Sequence, residues 1–113
     1  MTDLDTKKTQ RIRVMNDNFR GTFLGGTVVL TQGVAGMPLD VKAEALLKVK
    51  AFKDFTRDND PYGEHDFGHF EVAGETFYWK IDYYDPDCQN GSEDRSDPDK
   101  TKRVLTIMLA AEY

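Results

Sequence analysis

The chain of 113 residues is 39% hydrophobic and 31% charged, and its single cysteine, Cys88, cannot form an internal disulfide, which favours the reducing cytoplasm. One domain spanning residues 1–113 is expected at this length, and the absence of a long apolar run or a signal peptide excludes a membrane partner. The net charge of −5 is uneven: residues 1–53 carry nine Lys or Arg and five Asp or Glu, whereas residues 54–113 carry six and fifteen, which disfavours direct nucleic-acid binding by the second half.

Two helices and a strand are predicted in the first half. Residues 1–6 are polar and expected to fray. Apolar residues at helical spacing predict a short amphipathic helix over residues 6–19 that ends near Asn16-Asp17-Asn18, because these side chains disfavour helix. Residues 27–31 are rich in β-branched side chains and predict a strand. Asp40 is a good N-cap for the clearest helix, residues 41–55.

The second half predicts strands. Residues 67–72 and 75–84 flank a two-residue turn at Ala73-Gly74 and predict a hairpin. Residues 85–99 form a long acidic loop that is expected to be mobile, and residues 103–111 read as a central strand covered on both faces. The order helix, strand, helix, strand, strand, strand predicts an α+β fold, with a small antiparallel sheet and helices packed on one face.

The hairpin turn sets a register and therefore two surfaces. Gly68 falls opposite Trp79 on the predicted core face, where the missing side chain leaves room for the indole. The alternate face gathers both histidines, and on it His65 falls opposite Asp82. This polar, aromatic and ionisable face is the predicted functional surface, with the members His65, Phe67, His69, Tyr78, Lys80, Asp82 and Tyr84.

Three kinds of chemistry fit that surface. A divalent metal could be held by His65, Asp82 and Glu64, although His65 and His69 would stand about 13 Å apart along a strand. His65 oriented by Asp82, with Lys80 beside them, could serve as an acid–base centre. A recognition surface needs neither a cofactor nor a nucleophile, and the sequence marks no nucleophile. Its predicted binding residues are Asp60, Tyr62, Glu64, His65, Asp66, Tyr78, Lys80, Asp82, Tyr84, Asp85 and Asp87.

Several long motifs resemble one bacterial family. They lie at residues 16–20, 28–34, 59–68, 79–85 and 103–113, so the likeness runs over nearly the whole chain. The chain is similar to the uncharacterised Domain of Unknown Function three-seven-six-eight, found mostly in alphaproteobacteria and often on plasmids or prophage-like elements. The resemblance names no catalytic residue or ligand. It implies a small cytoplasmic accessory protein of mobile DNA, a setting in which small acidic proteins are sometimes anti-restriction or anti-CRISPR inhibitors.

These observations favour a non-enzymatic binding protein without a cofactor. Its expected partner is a protein with a basic surface, such as a nucleic-acid-binding effector of host defence, engaged by the acidic, Tyr-rich second half. The alternative is a metal-assisted or His-based hydrolase with its site on residues 64–69 and 80–85. The sequence leaves the oligomeric state open.

Overall fold

Three α-helices and four strands follow one another in the computed structural model, which describes residues 3–113. Two short 3-10 turns flank the last strand. The elements are α1 (Asp3–Thr22), β1 (Gly26–Leu30), α2 (Gln32–Ala35), α3 (Leu39–Lys50), β2 (Phe67–Val72), β3 (Glu75–Tyr84), η1 (Pro98–Lys100), β4 (Lys102–Leu109) and η2 (Ala110–Glu112).

The four strands form one sheet in the order β1-β4-β3-β2. The α+β class is confirmed, but the prediction of an antiparallel sheet is wrong, because β1 runs parallel to β4. A parallel pair needs a long crossover, and here α2, α3 and the hairpin lie between the two strands. The predicted element order also missed α2, whose four residues are too few to show a helical period.

The helices cover one face of the sheet, as predicted. Phe19 of α1, Val34 of α2 and Val49 of α3 join one buried cluster with Trp79 and Ile107 of the sheet. β4 occupies a central position, also as predicted. The expectation that β4 is covered on both faces holds only in part: on its outward side Met108 is buried, Val104 and Thr106 are half-buried, and Lys102 is exposed. We call this second surface the open face; it includes Val29, Phe67, His69, Tyr78, Lys80, Asp82, Tyr84, Thr106 and Met108.

The hairpin register is confirmed for residues 67–72. Val72 pairs with Glu75 and Gly68 pairs with Trp79, which fixes the alternation of the two faces. A Cβ atom added to Gly68 would lie 2.6 Å from Nε1 of Trp79 and 2.6 Å from Cζ of Phe52. Glycine therefore permits the close approach of two buried rings at this position.

The helix ends differ from the sequence prediction. α1 starts before residue 6 and continues through Asn16 to Thr22, so the predicted helix is too short at both ends. Residues 3–6, for which fraying was predicted, belong to α1, and residues 1–2 lie outside the described part. α3 begins at Leu39 with Pro38 as its N-cap, rather than Asp40, and ends at Lys50. The aromatic residues Phe52 and Phe55 therefore lie beyond the helix and pack edge-to-face with Trp79, at interplanar angles of 75° and 90°.

The acidic loop at residues 85–99 is held by hydrogen bonds rather than being free of structure. The backbone N–H of Ser92 donates to the Tyr83 carbonyl (3.1 Å), and the Ser92 hydroxyl contacts that of Thr101 (2.7 Å). The Asp94 side chain accepts from the buried Ser96. Because these bonds tie the middle of the loop to Tyr83 of β3 and to Thr101, the residue before β4, we call residues 85–99 the acidic lobe.

Candidate functional site

The residues predicted for the site lie on two sides of the sheet. The segment that precedes β2 faces α1, whereas the alternate residues of β3 lie on the open face and lead into the acidic lobe. The first group comprises Asp60, Tyr62, Glu64, His65 and Asp66, and the second comprises Tyr78, Lys80, Asp82, Tyr84, Asp85 and Asp87.

His65 belongs to the first group, so the predicted His65–Asp82 pair is wrong. β2 begins only at Phe67, and the φ angle of +55° at His65 turns its side chain away from the ladder. Its Nδ1 lies 2.9 Å from Oδ1 of Asp17, and its Nε2 lies 3.5 Å from Oδ2 of Asp60. The imidazole also stacks on Phe55, with ring centroids 3.8 Å apart. The ring is thereby held between α1 and the loop.

The alternative metal and catalytic sets are not brought together. Asp82 pairs with Lys80 on the open face (Oδ2 to Nζ, 2.9 Å), whereas Glu64 pairs with Arg95 (Oε1 to Nη1, 3.3 Å). The Asp82 bond raises the pKa of Lys80. Within residues 3–113, no group of three or more His, Cys, Asp or Glu side chains is arranged to hold a metal ion. His65, Asp82 and Lys80 therefore do not share one reaction centre.

Three carboxyl groups line a cleft of 520 Å³ beside α1. Burial raises the pKa of Glu64 against the opposing effect of the Arg95 guanidinium. Burial likewise raises the pKa of Asp66, although Tyr83 donates a hydrogen bond to it (2.9 Å). Asp60 completes the set with an almost fully buried side chain that accepts from the His65 backbone N–H. The cleft is acidic, but its carboxyl groups are engaged by neighbouring side chains and backbone.

A buried asparagine connects this cleft to the sheet, and the sequence analysis missed its role. Asn16 donates from Nδ2 to the Glu64 carbonyl (2.9 Å) and to the Tyr83 hydroxyl (2.7 Å). Its Oδ1 accepts from Nε of Arg103 (2.8 Å), whose Nη2 donates in turn to the Arg95 carbonyl (2.7 Å). In the sequence, only helical spacing could have indicated this network, because Asn16 lies between Ile12 and Phe19 on the buried stripe of α1.

Replacing Asp66 by Asn should alter the dependence of stability on pH. A carboxyl whose pKa is raised on folding contributes stability below its unfolded pKa, and this contribution is lost as pH rises through the folded pKa. The amide of Asp66→Asn still accepts from Tyr83 but does not ionise. The free energy of unfolding, measured in urea between pH 3 and pH 7, should therefore fall less with rising pH in the variant. Asp87→Asn, an exposed control, should follow the wild type; equal pH profiles for Asp66→Asn and wild type would contradict the assignment.

The open face and the acidic lobe form the more accessible surface. The lobe contains six Asp or Glu and one Arg, so its charge of −5 equals the net charge of the whole chain. Hydrogen bonding from the Gln89 backbone N–H lowers the pKa of Asp85, and bonding from the Ser96 side chain lowers that of Asp94. These carboxylates therefore stay charged in mildly acidic solution. Asp82 and Tyr84 line the shallow depression where the open face meets the lobe.

These features define the chain as an α+β domain with a mixed four-stranded sheet, helices on one face, and a structured acidic lobe beside the other. The family model described as "Protein of unknown function (DUF3768)" matches residues 30–112. The chain therefore belongs to this family. No curated protein and no solved structure matches it. No helix among residues 3–113 has the length and apolar character that crossing a membrane requires.

Proposed function

We propose that this protein is a non-enzymatic binding protein whose acidic lobe engages a basic surface on a protein partner. The supporting observation is the concentration of carboxylates on a lobe that hydrogen bonds hold in one arrangement. Charges fixed in place before binding lose less conformational entropy when a partner docks, and they steer a partner of opposite charge.

The tyrosines beside the lobe supply the apolar part of such an interface. Tyr84 and Asp82 are half-buried at the boundary of the open face, and Asp85 and Asp87 follow immediately along the chain. Tyrosine makes a large contact with little loss of side-chain entropy, which is why it recurs in binding surfaces. The arrangement places aromatic area next to charge, as a docking surface for a basic protein requires.

The partner we favour is a nucleic-acid-binding effector of host defence in the cytoplasm. A basic groove that binds phosphates would also attract closely spaced carboxylates. The resemblance to a family carried on plasmids and prophage-like elements supports an anti-restriction or anti-CRISPR role, because an element that enters a new host benefits from blocking such effectors.

Charge reversal of the acidic lobe and of Asp82 beside it, here called the lobe variant, should reduce partner capture. Replacing Asp82, Asp85 and Asp87 together by Lys should reduce the partner captured from host lysate by about tenfold, a change of about 1.4 kcal/mol. The wild-type complex should also weaken as salt is raised, since screening shortens the range of the attraction. The matched control replaces Asp40, Glu44 and Glu75 by Lys, which makes the same change in net charge at exposed sites elsewhere.

Two outcomes would contradict the proposal. The first is undiminished capture by the lobe variant, and the second is an equal loss in both variants. The defence role has its own measurement, which is plasmid transformation efficiency in a restricting host. Wild-type protein should raise this efficiency, and the lobe variant should not.

A further inference from the structure

A groove runs along the outer edge of β2, between the open face and the segment that follows α3. Its cavity measures 560 Å³. One wall comes from β2, β3 and the residue after η2, and the other comes from residues 52–59. We call it the edge groove; its lining residues are Phe52, Asp54, Thr56, Asp58, Asn59, Phe67, His69, Tyr78 and Tyr113.

Three aromatic rings form one wall of the edge groove. The ring centroids of Tyr78 and Tyr113 lie 5.0 Å apart in a stacked arrangement, and Phe67 lies 5.6 Å from each of them. The Tyr113 side chain remains largely accessible, with 72% of its surface exposed. The outer face of the exposed Tyr113 ring carries the negative charge of its π-system, and such faces attract cations.

Tyr113 is held in place by a charged anchor. The Glu112 carboxylate accepts from the Thr31 hydroxyl (2.6 Å), from the Gly33 backbone N–H (2.8 Å) and from the Leu109 backbone N–H (2.9 Å). Hydrogen bonding from Thr31 lowers the pKa of Glu112, so the anchor persists in mildly acidic solution. These bonds fix the 3-10 turn that places Tyr113 against Tyr78, which means that the aromatic wall exists before any ligand binds.

The opposite wall is acidic. Asp54 and Asp58 line it, and neither a Lys nor an Arg is among the described residues that line the groove. Hydrogen bonds hold this segment in shape: the Asn59 side chain donates to the Asp54 carbonyl (2.9 Å) and accepts from the Thr56 backbone N–H (2.9 Å). An anion would be repelled here, and a purely apolar ligand would cover two carboxylates without pairing them.

Main-chain groups on the outer edge of β2 also favour a peptide as the ligand. Asp66 and the even-numbered residues of β2 bond to β3, as the Ile81 N–H to Asp66 carbonyl contact shows (2.8 Å). The backbone groups of Phe67, His69 and Glu71 therefore face away from β3. Lys48 donates to the Glu71 carbonyl (2.7 Å). The part of the β2 edge that lies beside the groove is therefore that of Phe67 and His69. An extended peptide could bond to this edge while one side chain enters the groove.

We propose that the edge groove binds a lysine or arginine side chain on an extended basic segment of the protein partner. The aromatic wall contacts the cation face-on, and Asp54 and Asp58 pair with its charge. This proposal deepens the proposed function, on which it rests, by naming the element of the partner that inserts. The groove would give the partner a contact besides the acidic lobe. Tyr113 also borders a depression on the open face, which shares Asp82 and Tyr84 with the one beside the lobe.

The test measures the affinity of a capped hexa-arginine peptide by NMR titration of the full chain. The amide signals of Phe67, His69 and Tyr78 should shift on binding. Tyr113→Leu removes the π-system from an exposed position and should weaken binding about fivefold, within the range of a cation–π contact, whereas Tyr113→Phe should retain it. The control is Leu24→Ala, because Leu24 is an apolar side chain that is similarly exposed (74%) but lies outside the groove.

A second variant tests the acidic wall without touching the rings. Asp54→Asn combined with Asp58→Asn should weaken binding and flatten its salt dependence, since two paired charges are removed. The spectrum of each unliganded variant shows whether its fold is retained. Equal affinity of wild type and both groove variants would overturn the groove assignment, as would a Tyr113→Phe loss equal to that of Tyr113→Leu.

The outcomes separate this inference from the proposed function. If the peptide loses affinity only when Asp82, Asp85 and Asp87 are reversed, the groove assignment fails and the acidic lobe alone carries binding. If the wild type does not bind the peptide, the groove assignment fails as well, and partner capture by the lobe decides the proposed function independently. If the groove variants weaken peptide binding while the lobe variant still captures the partner, the groove stands and the lobe does not.

Discussion

Replacing Asn16 by Ala should lower the free energy of unfolding by about 3–5 kcal/mol, because it leaves several buried polar groups without a hydrogen-bond partner. The Asn16 side chain is fully buried and bonds to the Glu64 carbonyl, the Tyr83 hydroxyl and the Arg103 guanidinium. Arg103 is itself only 4% exposed, so the variant leaves a buried charge short of an acceptor. Urea unfolding at neutral pH measures the loss.

Asn18→Ala is the matched control for that prediction. Asn18 lies two residues further along α1 with an exposed side chain, so the two variants make the same chemical change on one helix. We expect the control to change stability by less than about 0.5 kcal/mol. Similar losses in both variants would show that helix propensity, rather than the buried network, sets the effect.

The same network links the helix to the proposed binding surface. Arg103 of β4 connects Asn16 to the Arg95 carbonyl in the acidic lobe, and its guanidinium lies over the Tyr83 ring (5.3 Å to the centroid). Arg95 also donates to the Glu64 carboxylate (3.3 Å), and its guanidinium lies over the Tyr83 ring (4.9 Å to the centroid). The lobe is therefore positioned by contacts that reach across the domain.

Local chemistry explains what could be predicted from the sequence. The hairpin followed from Ala73-Gly74 and from alternating side chains, and its register made Gly68 the partner of Trp79. The one-sided packing of the helices followed from their apolar stripes. Each of these features depends on residues that are close together in the chain, where turn geometry and side-chain period act directly.

Features that depend on distant residues were predicted poorly. Asn16 disfavours helix locally, yet α1 continues through it because Glu64, Tyr83 and Arg103 satisfy its side chain. His65 was assigned to a strand, but Asp17 of α1 holds its ring on the other side. The direction of β1 likewise depends on β4, far along the chain. No local pattern carries this information.

The binding surfaces likewise divide into one that was visible in the sequence, the acidic lobe, and one that was not, the edge groove. The acidic character of the second half was visible in composition, and so were the carboxylates of the lobe. The edge groove was not visible, because its walls come from four separate stretches of the chain and Tyr113 reaches Tyr78 only through the Glu112 anchor. The sequence placed Asp54 in the predicted helix at residues 41–55, whereas the fold places it with Asp58 opposite the rings.

Replacing Gly68 by Ala should cost about 2–3 kcal/mol of stability, because the added methyl group overpacks the core. Its Cβ would meet Nε1 of Trp79 and Cζ of Phe52 at 2.6 Å, and both rings are buried, so neither can move aside without disturbing the cluster around it. Gly91→Ala is the matched control, since its Cβ would have no neighbour closer than 4.0 Å. Thermal and urea unfolding should show a lower midpoint for Gly68→Ala and nearly the wild-type midpoint for Gly91→Ala. If Gly68→Ala were as stable as the wild type, the two rings could not be packed as tightly against this strand as the register requires.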